Sequence, residues 1–198
     1  MRPDILNSYT PSILNQIKLR FFNAFLGEIS SDAARAAFYR PELFSKPFFK
    51  LQHQLMRGRS EWSVAERELF AANVASKIKC EFCKVSHSAF ASSAKKKPGW
   101  ASSVMEGQSQ SKEDQKLHAI LGFLNKLTEQ PWEITNGDFA ALRRHGVSNQ
   151  AIEDAAMICV LFSMGSRLST TFDFRIPSPD TLKRGTPLIL RFGYMAFS

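Results

Sequence analysis

The stretch of sequence that decides the fold runs from Glu68 to His87 and reads Glu-Leu-Phe-Ala-Ala-Asn-Val-Ala-Ser-Lys-Ile-Lys-Cys-Glu-Phe-Cys-Lys-Val-Ser-His. It ends in a Cys-x-x-Cys-x-x-x-His motif made of Cys80, Cys83 and His87, and Glu68 stands twelve positions before the first cysteine. If residues 80–94 form a helix, its 3.6-residue period places the two thiols and the imidazole along one stripe. Two thiols one turn apart can form a disulfide, the imidazole can exchange a proton, and a carboxylate on the preceding helix can orient the imidazole. The pattern therefore predicts a thiol redox site.

Helical periodicity accounts for most of the chain around this motif, and no segment shows the alternation that is typical of a strand. The 198 residues, of which 44% are hydrophobic, suffice for one domain with a substantial core and not for two. We therefore predict a single all-α domain over 1–198, built as a helical bundle. It is expected to carry an N-terminal helical extension over about 1–30 and a C-terminal arm over about 173–198.

Capping residues and apolar spacing predict the helix boundaries. The capping box Ser63-Val-Ala-Glu66 starts a helix at Val64, and Ser148 caps the most apolar helix of the chain. The predicted helices cover 11–26, 32–39, 41–57 with a bend at Pro47, 64–78, 80–95, 111–127, 135–146 and 148–167. Residues 96–111 are predicted to form a loop because they are rich in Pro, Gly and Ser. The prolines of 172–198 indicate an extended arm with a short helix at 179–184.

Charge and cysteine content indicate which partners and which cellular location the protein is expected to have. The net charge is +8, but the basic residues are scattered and only Lys95-Lys96-Lys97 form a run, so no nucleic-acid partner is expected. Three cysteines, two of them three positions apart, do not indicate the disulfide framework of a secreted protein. The N-terminus lacks the apolar region of a signal peptide, and no run approaches the ~18 apolar residues of a membrane span. We expect a cytoplasmic protein without a membrane partner.

The motif residues are also compatible with a metal site or with purely structural roles. Cys-x-x-Cys-x-x-x-His supplies three zinc ligands, whereas structural zinc takes four, usually from two separated pairs, so neither a metal nor another cofactor is expected. Cys80 and Cys83 could instead be small buried side chains, His87 a core histidine bonded to a carbonyl, and Glu68 a first-turn glutamate that favours the helix dipole. Cys159 lies in an apolar stripe and is predicted to be an inert core residue.

The chain resembles the alkylhydroperoxidase D-like (AhpD-like) family, which includes carboxymuconolactone decarboxylases, and more narrowly its peroxidase-related branch. The resemblance covers about residues 33–175. It rests on the Glu68, Cys80, Cys83 and His87 spacing and on three further stretches, which are Ala33-Ala-Arg-Ala-Ala-Phe-Tyr-Arg-Pro-Glu-Leu-Phe44, Ser63-Val-Ala-Glu-Arg-Glu-Leu69 and Asp138-Phe-Ala-Ala-Leu-Arg-Arg-His-Gly-Val147. Two departures are visible. Phe82 stands where the best-known member has a histidine, and Gly165-Ser166-Arg167 stand where relatives often carry an Asn-Arg pair.

The resemblance implies an all-α homo-oligomer that reduces hydrogen peroxide or organic hydroperoxides through its two cysteines. It implies that Cys83 attacks the peroxide, Cys80 resolves the product to a disulfide, and Glu68 and His87 relay protons. A thiol or dithiol reductant would then reset the pair. The helix N-terminus, His87 and three nearby lysines (Lys77, Lys79, Lys84) are candidates for lowering the thiol pKa.

Two alternatives differ from this reading. One is a non-catalytic redox-sensing or assembly protein whose Cys80–Cys83 disulfide switches the oligomeric state. The other is a decarboxylase-like relative, which the cysteine pair argues against because those relatives do not use it.

Overall fold

The computed structural model describes residues 5–26, 31–42, 46–108 and 112–194. Within these ranges the chain forms α-helices, one short 3-10 helix at Pro131–Glu133, and no strand, so the predicted all-α class is confirmed. The helices are α1 Ile5–Ser8, α2 Ile13–Leu26, α3 Ser31–Tyr39, α4 Lys46–Arg57, α5 Val64–Ile78, α6 Glu81–Ala94, α7 Trp100–Met105, α8 Lys112–Glu129, α9 Asn136–Arg144, α10 Asn149–Thr171 and α11 Pro179–Phe192.

Helix α5 is the centre of the molecule. It packs most extensively on α6, and it also contacts α10 and α8, which complete the main core. Leu69, Phe70 and Val74 of α5 are fully buried in that core. A second, smaller core forms around Leu6, Ala36, Phe49 and Phe174, with Phe82 packed against it. The cysteine motif therefore starts a helix that lies between two separately packed regions.

The predicted caps are confirmed for the helices that matter to the site. The Ser63 side chain accepts a hydrogen bond from the Glu66 backbone N–H, and the Glu66 carboxylate accepts one from the Ser63 N–H at 2.7 Å. Ser148 caps α10 by accepting a hydrogen bond from the Ala151 N–H at 3.0 Å. These reciprocal bonds satisfy donors that a helix start leaves unpaired, which is why α5 and α10 begin where the sequence predicts.

Three predicted boundaries are wrong. Pro41 lies in a turn and not at a helix start, and α4 begins at Lys46, so Pro47 occupies its first turn, where a missing N–H costs nothing. Residues 100–105 of the predicted loop form α7, because Trp100 and Val104 bury their side chains. The C-terminal arm was predicted to be extended apart from a short helix at 179–184, but α11 continues to Phe192 with Pro187 inside it. The predicted cap at Ser111 lies outside the described residues.

None of the described helices combines the length and the apolarity that crossing a membrane requires.

Candidate active site

A tight turn at Lys79 delivers the first cysteine to the start of α6. Lys79 adopts the left-handed conformation (φ 63°), and its N–H bonds the Ser76 carbonyl while the Cys80 N–H bonds the Ala75 carbonyl. This pair of bonds is the Schellman arrangement that ends helices. The chain leaves it directly into the N-cap of α6, which Cys80 occupies. The motif helix thus begins one residue later than predicted, with Cys80 capping it and Cys83 in its first turn.

The two thiols of the motif have opposite tendencies to ionise. Cys80 Sγ accepts a hydrogen bond from the Cys83 N–H at 3.4 Å, and neither cysteine is in a disulfide. The Cys83 thiol also donates to Cys80, which is the largest cause that lowers the pKa of Cys80 to about 6, and the Cys83 N–H and Thr170 assist. The same bond, together with burial, raises the pKa of Cys83. At neutral pH the pair therefore holds one proton, which is on Cys83.

Glu68 and His87, predicted to pair across neighbouring helices, do so. The carboxylate Oε2 lies 2.6 Å from His87 Nδ1, and both side chains are buried. Burial by itself would raise the pKa of Glu68, but the hydrogen bond with His87 and the charge of Arg57 outweigh it, so the pKa is lowered. Glu68 is therefore a carboxylate at neutral pH and accepts a hydrogen bond from Nδ1–H. His87 is held further between the rings of Phe90 and Phe162, each at a steep angle to it.

Two further residues of this cluster were missed in the sequence. Arg57, the last residue of α4, pairs with Glu68 Oε1 at 2.7 Å. The hydroxyl of Tyr194, which follows α11, lies 2.9 Å from Oε1 and 3.1 Å from Oε2 of the same carboxylate. Neither position belongs to a spaced motif, and 126 residues separate Tyr194 from Glu68. The one available signal was a Tyr directly after Gly193 in a stretch that is apolar apart from Arg191.

A pocket of about 90 Å³ opens beside the cluster. Cys83 and His87 form part of its wall, and Gln52 and Ser169 are its other polar side chains. The remaining wall is apolar and includes five phenyl rings, those of Phe48, Phe49, Phe82, Phe162 and Phe174. Cys80 is not among the lining residues, so the pocket reaches one sulfur of the pair, that of Cys83.

Several other predicted residues lie away from this cluster. Cys159 is buried in the main core, as predicted, beside Thr128. Trp100, proposed as part of an entrance, is buried in the same core and anchors α7. The lysines 77 and 84 pair with Glu129 and Glu81 at 3.4 and 3.5 Å. Across the described ranges, no three His, Cys, Asp or Glu side chains are arranged to hold a metal ion.

The fold is that of AhpD-like, peroxidase-related proteins. An uncharacterized peroxidase-related protein from Silicibacter sp. TM1040 matches with a TM-score of 0.74 and 24% identity, over 90% of this chain and 92% of the other. The alkylhydroperoxidase AhpD core of an uncharacterized peroxidase-related protein from Ralstonia eutropha JMP134 matches with a TM-score of 0.73 and 24% identity, over 90% and 95%. No protein-family model and no curated protein matches the sequence. The predicted resemblance is confirmed for the fold.

Proposed function

We propose that the protein is a thiol-dependent peroxidase of the AhpD-like type that reduces hydrogen peroxide or organic hydroperoxides. One observation carries the proposal. Cys83 and His87 both line the pocket, and Cys80 is hydrogen-bonded to Cys83. A peroxide in this pocket would meet one sulfur that can be oxidised, a second that can resolve it, and an imidazole that can move a proton. No metal or organic cofactor is needed for these steps.

The first step is the attack of Cys83 on the peroxide. The Cys83 proton passes along the S–H···S contact to the Cys80 thiolate, which leaves Cys83 as the nucleophile facing the pocket. An S–O bond then forms as the O–O bond breaks, and the leaving alkoxide takes the proton back from Cys80 and departs as an alcohol. Cys83 has become a sulfenic acid, and the peroxide has gained the two electrons that sulfur lost.

The second step resolves the sulfenic acid. The Cys80 thiolate attacks Cys83, the S–S bond forms, and the oxygen leaves as hydroxide, to which His87 relays a solvent proton to give water. A thiol or dithiol reductant then returns two electrons by thiol–disulfide exchange. Glu68 contributes by orienting His87 through Nδ1, so that Nε2 is the nitrogen that exchanges protons.

The test is turnover of cumene hydroperoxide by the reduced protein with excess dithiothreitol. We expect catalytic peroxide loss in the wild type, none in Cys83→Ser, and a trace in Glu68→Gln, because orientation of His87 is weakened while both sulfurs remain. Cys159→Ser is the matched control, since its sulfur is buried beside hydroxyl groups of Thr128 and Ser163 away from the pocket wall. It should turn over like the wild type.

Full activity of Cys83→Ser would overturn the proposal. Consumption of a single equivalent of peroxide, accompanied by a change of molecular size and no further turnover, would favour the alternative of a redox-sensing or assembly protein.

A further inference from the structure

Three side chains from separate parts of the chain converge on the buried carboxylate of Glu68. Its two oxygens accept hydrogen bonds from His87 Nδ1 at 2.6 Å, from the Arg57 guanidinium at 2.7 Å and from the Tyr194 hydroxyl at 2.9 and 3.1 Å. The Arg57 guanidinium also lies 5.0 Å above the Tyr194 ring. Arg57 and Tyr194 thus contact the same carboxylate and also each other.

The charges of the cluster show what this arrangement does. A buried carboxylate is costly unless it is paired and hydrogen-bonded. Here Arg57 supplies an opposite charge, and Arg57, Tyr194 and His87 together occupy both oxygens of Glu68. Burial and the Glu68 charge raise the pKa of Tyr194 well above its ordinary value, so its hydroxyl keeps its proton and stays a donor to the carboxylate.

We propose that Arg57 and Tyr194 are positioning residues, which hold the Glu68 carboxylate in place so that its Oε2 faces His87 Nδ1 and fixes the imidazole with its proton on Nδ1. Nε2 is then the nitrogen that is left to exchange protons. The effect on turnover rests on the proposed peroxidase function, whereas the effect on the His87 imidazole does not depend on that function.

The groups around the imidazole are consistent with this assignment. Helix α10 presents the apolar ring of Phe162 to it, and α6 presents the Phe90 ring and the cysteine pair. The charged groups near the pair are Arg57 on α4, Glu68 and Arg67 on α5, and Cys80 at the start of α6. Arg67 is committed elsewhere, since its guanidinium donates to the Leu55 and Gly58 carbonyls at 3.1 and 2.8 Å. Arg57 is therefore the cation that bonds the carboxylate directly.

The backbone at Gly193 is what seats the tyrosine. Its φ of 64° and ψ of −154° belong to a region that residues with a side chain rarely adopt. A Cβ at this position would lie 2.6 Å from His53 Nδ1, which is too close. Gly193→Ala therefore displaces Tyr194 without altering its chemistry, which provides a second way to remove the hydroxyl from Glu68.

The test is nitrogen NMR of ring-labelled histidine in the reduced protein, with no peroxide present. The chain has four histidines, and His87→Gln assigns the signal. In the wild type we expect the imidazole proton of His87 to reside on Nδ1, where it bonds Glu68 at 2.6 Å. In Tyr194→Phe the signals of the two tautomers should mix, because Glu68 has lost a donor that holds it in place. Tyr9→Phe is the matched control, since that hydroxyl donates to the Phe38 carbonyl at 3.0 Å, in another part of the fold.

Arg57→Gln should weaken the Nδ1–H signal of His87 further, and Arg57→Lys, which restores the charge, should recover part of it. Tyr194→Phe should also lower peroxide turnover about tenfold at neutral pH, as the loss of one charge-assisted hydrogen bond implies. A purely structural role would lower stability in these variants and leave the tautomer of His87 unchanged.

An unchanged His87 tautomer in Tyr194→Phe, Gly193→Ala and Arg57→Gln alike would overturn the proposal. An altered tautomer in these variants of a protein without peroxidase turnover would overturn the proposed function and leave this inference standing, so the two failures can be told apart.

Discussion

At the scale of single residues, the chemistry of the site depends on which sulfur holds the proton. Cys80 sits at the N-cap of α6, where it accepts the Cys83 N–H and the Cys83 S–H, and both bonds favour its thiolate. Both cysteines are buried, but Cys83, the donor, is the one of the two that lines the pocket. In the proposed mechanism the Cys80 thiolate acts as the base that removes the proton of Cys83, so the cysteine that lines the pocket becomes the nucleophile.

The first prediction concerns this shared proton. Thiolate absorbance of the reduced protein should show one equivalent appearing near pH 6, the pKa of Cys80, well below an ordinary thiol. Cys83→Ala removes the S–H donor that is the largest cause of the low value, so the midpoint should move to higher pH. Cys83→Ser keeps a hydroxyl donor and should fall between the two.

Cys159→Ser controls for the third sulfur, whose pKa is raised by burial and which should not contribute near pH 6. Ionisation of both motif cysteines in the ordinary thiol range would contradict the assignment, and the Cys80 thiolate could then not serve as the base in the first step.

At the scale of the elements, the turn between α5 and α6 decides the geometry, since it sets Cys80 at the start of one helix while Glu68 and His87 face each other across the pair. The second prediction follows from its residue at φ 63°, Lys79. A lysine there carries a Cβ penalty that glycine does not, so Lys79→Gly should raise the free energy of unfolding by about 1 kcal/mol. Urea denaturation measures the change.

The matched control for that turn is Lys77→Gly, which makes the same substitution two positions earlier, inside the last turn of α5. It should lower the free energy of unfolding by about 0.5–1 kcal/mol, because glycine is unfavourable inside a helix. Destabilisation by both substitutions would show that the left-handed conformation at Lys79 carries no cost.

How much of the fold could be predicted also depends on the element. Helices α5, α6 and α10 carry their own caps and apolar stripes, so local sequence suffices for them and for the Glu68–His87 pair that two of them position. Helix α7 was missed, and α11 was predicted at 179–184 only, because Gly, Ser and Pro weaken the local signal, while burial of Trp100 and Ile189 stabilises these helices in the folded chain. Arg57 and Tyr194 join the site only through tertiary packing, which no spacing in the sequence records.

At the scale of the whole molecule, the pocket lies where the two cores meet. Phe162 belongs to the main core, whereas Phe49 and Phe174 belong to the smaller one. One face of helix α10 lines the pocket, through Phe162 and Ser169. Its other face is apolar as well, and within this chain it remains exposed.

The last prediction concerns that exposed face of α10, defined by Met157, Val160 and Met164, which are 42%, 61% and 48% exposed. Their spacing of three and four positions forms one helical stripe. We predict that this stripe is an interaction surface and that a second copy of the chain covers it, in line with the homo-oligomer expected from the sequence. Light scattering during gel filtration should give a multiple of the chain mass for the wild type, and Val160→Lys should shift it toward one chain, since a buried unpaired lysine opposes association. Trp132→Lys is the matched control, because Trp132 is 77% exposed and lies off the stripe. A wild type that elutes as a single chain, or a Val160→Lys variant that assembles as the wild type does, would contradict this interface.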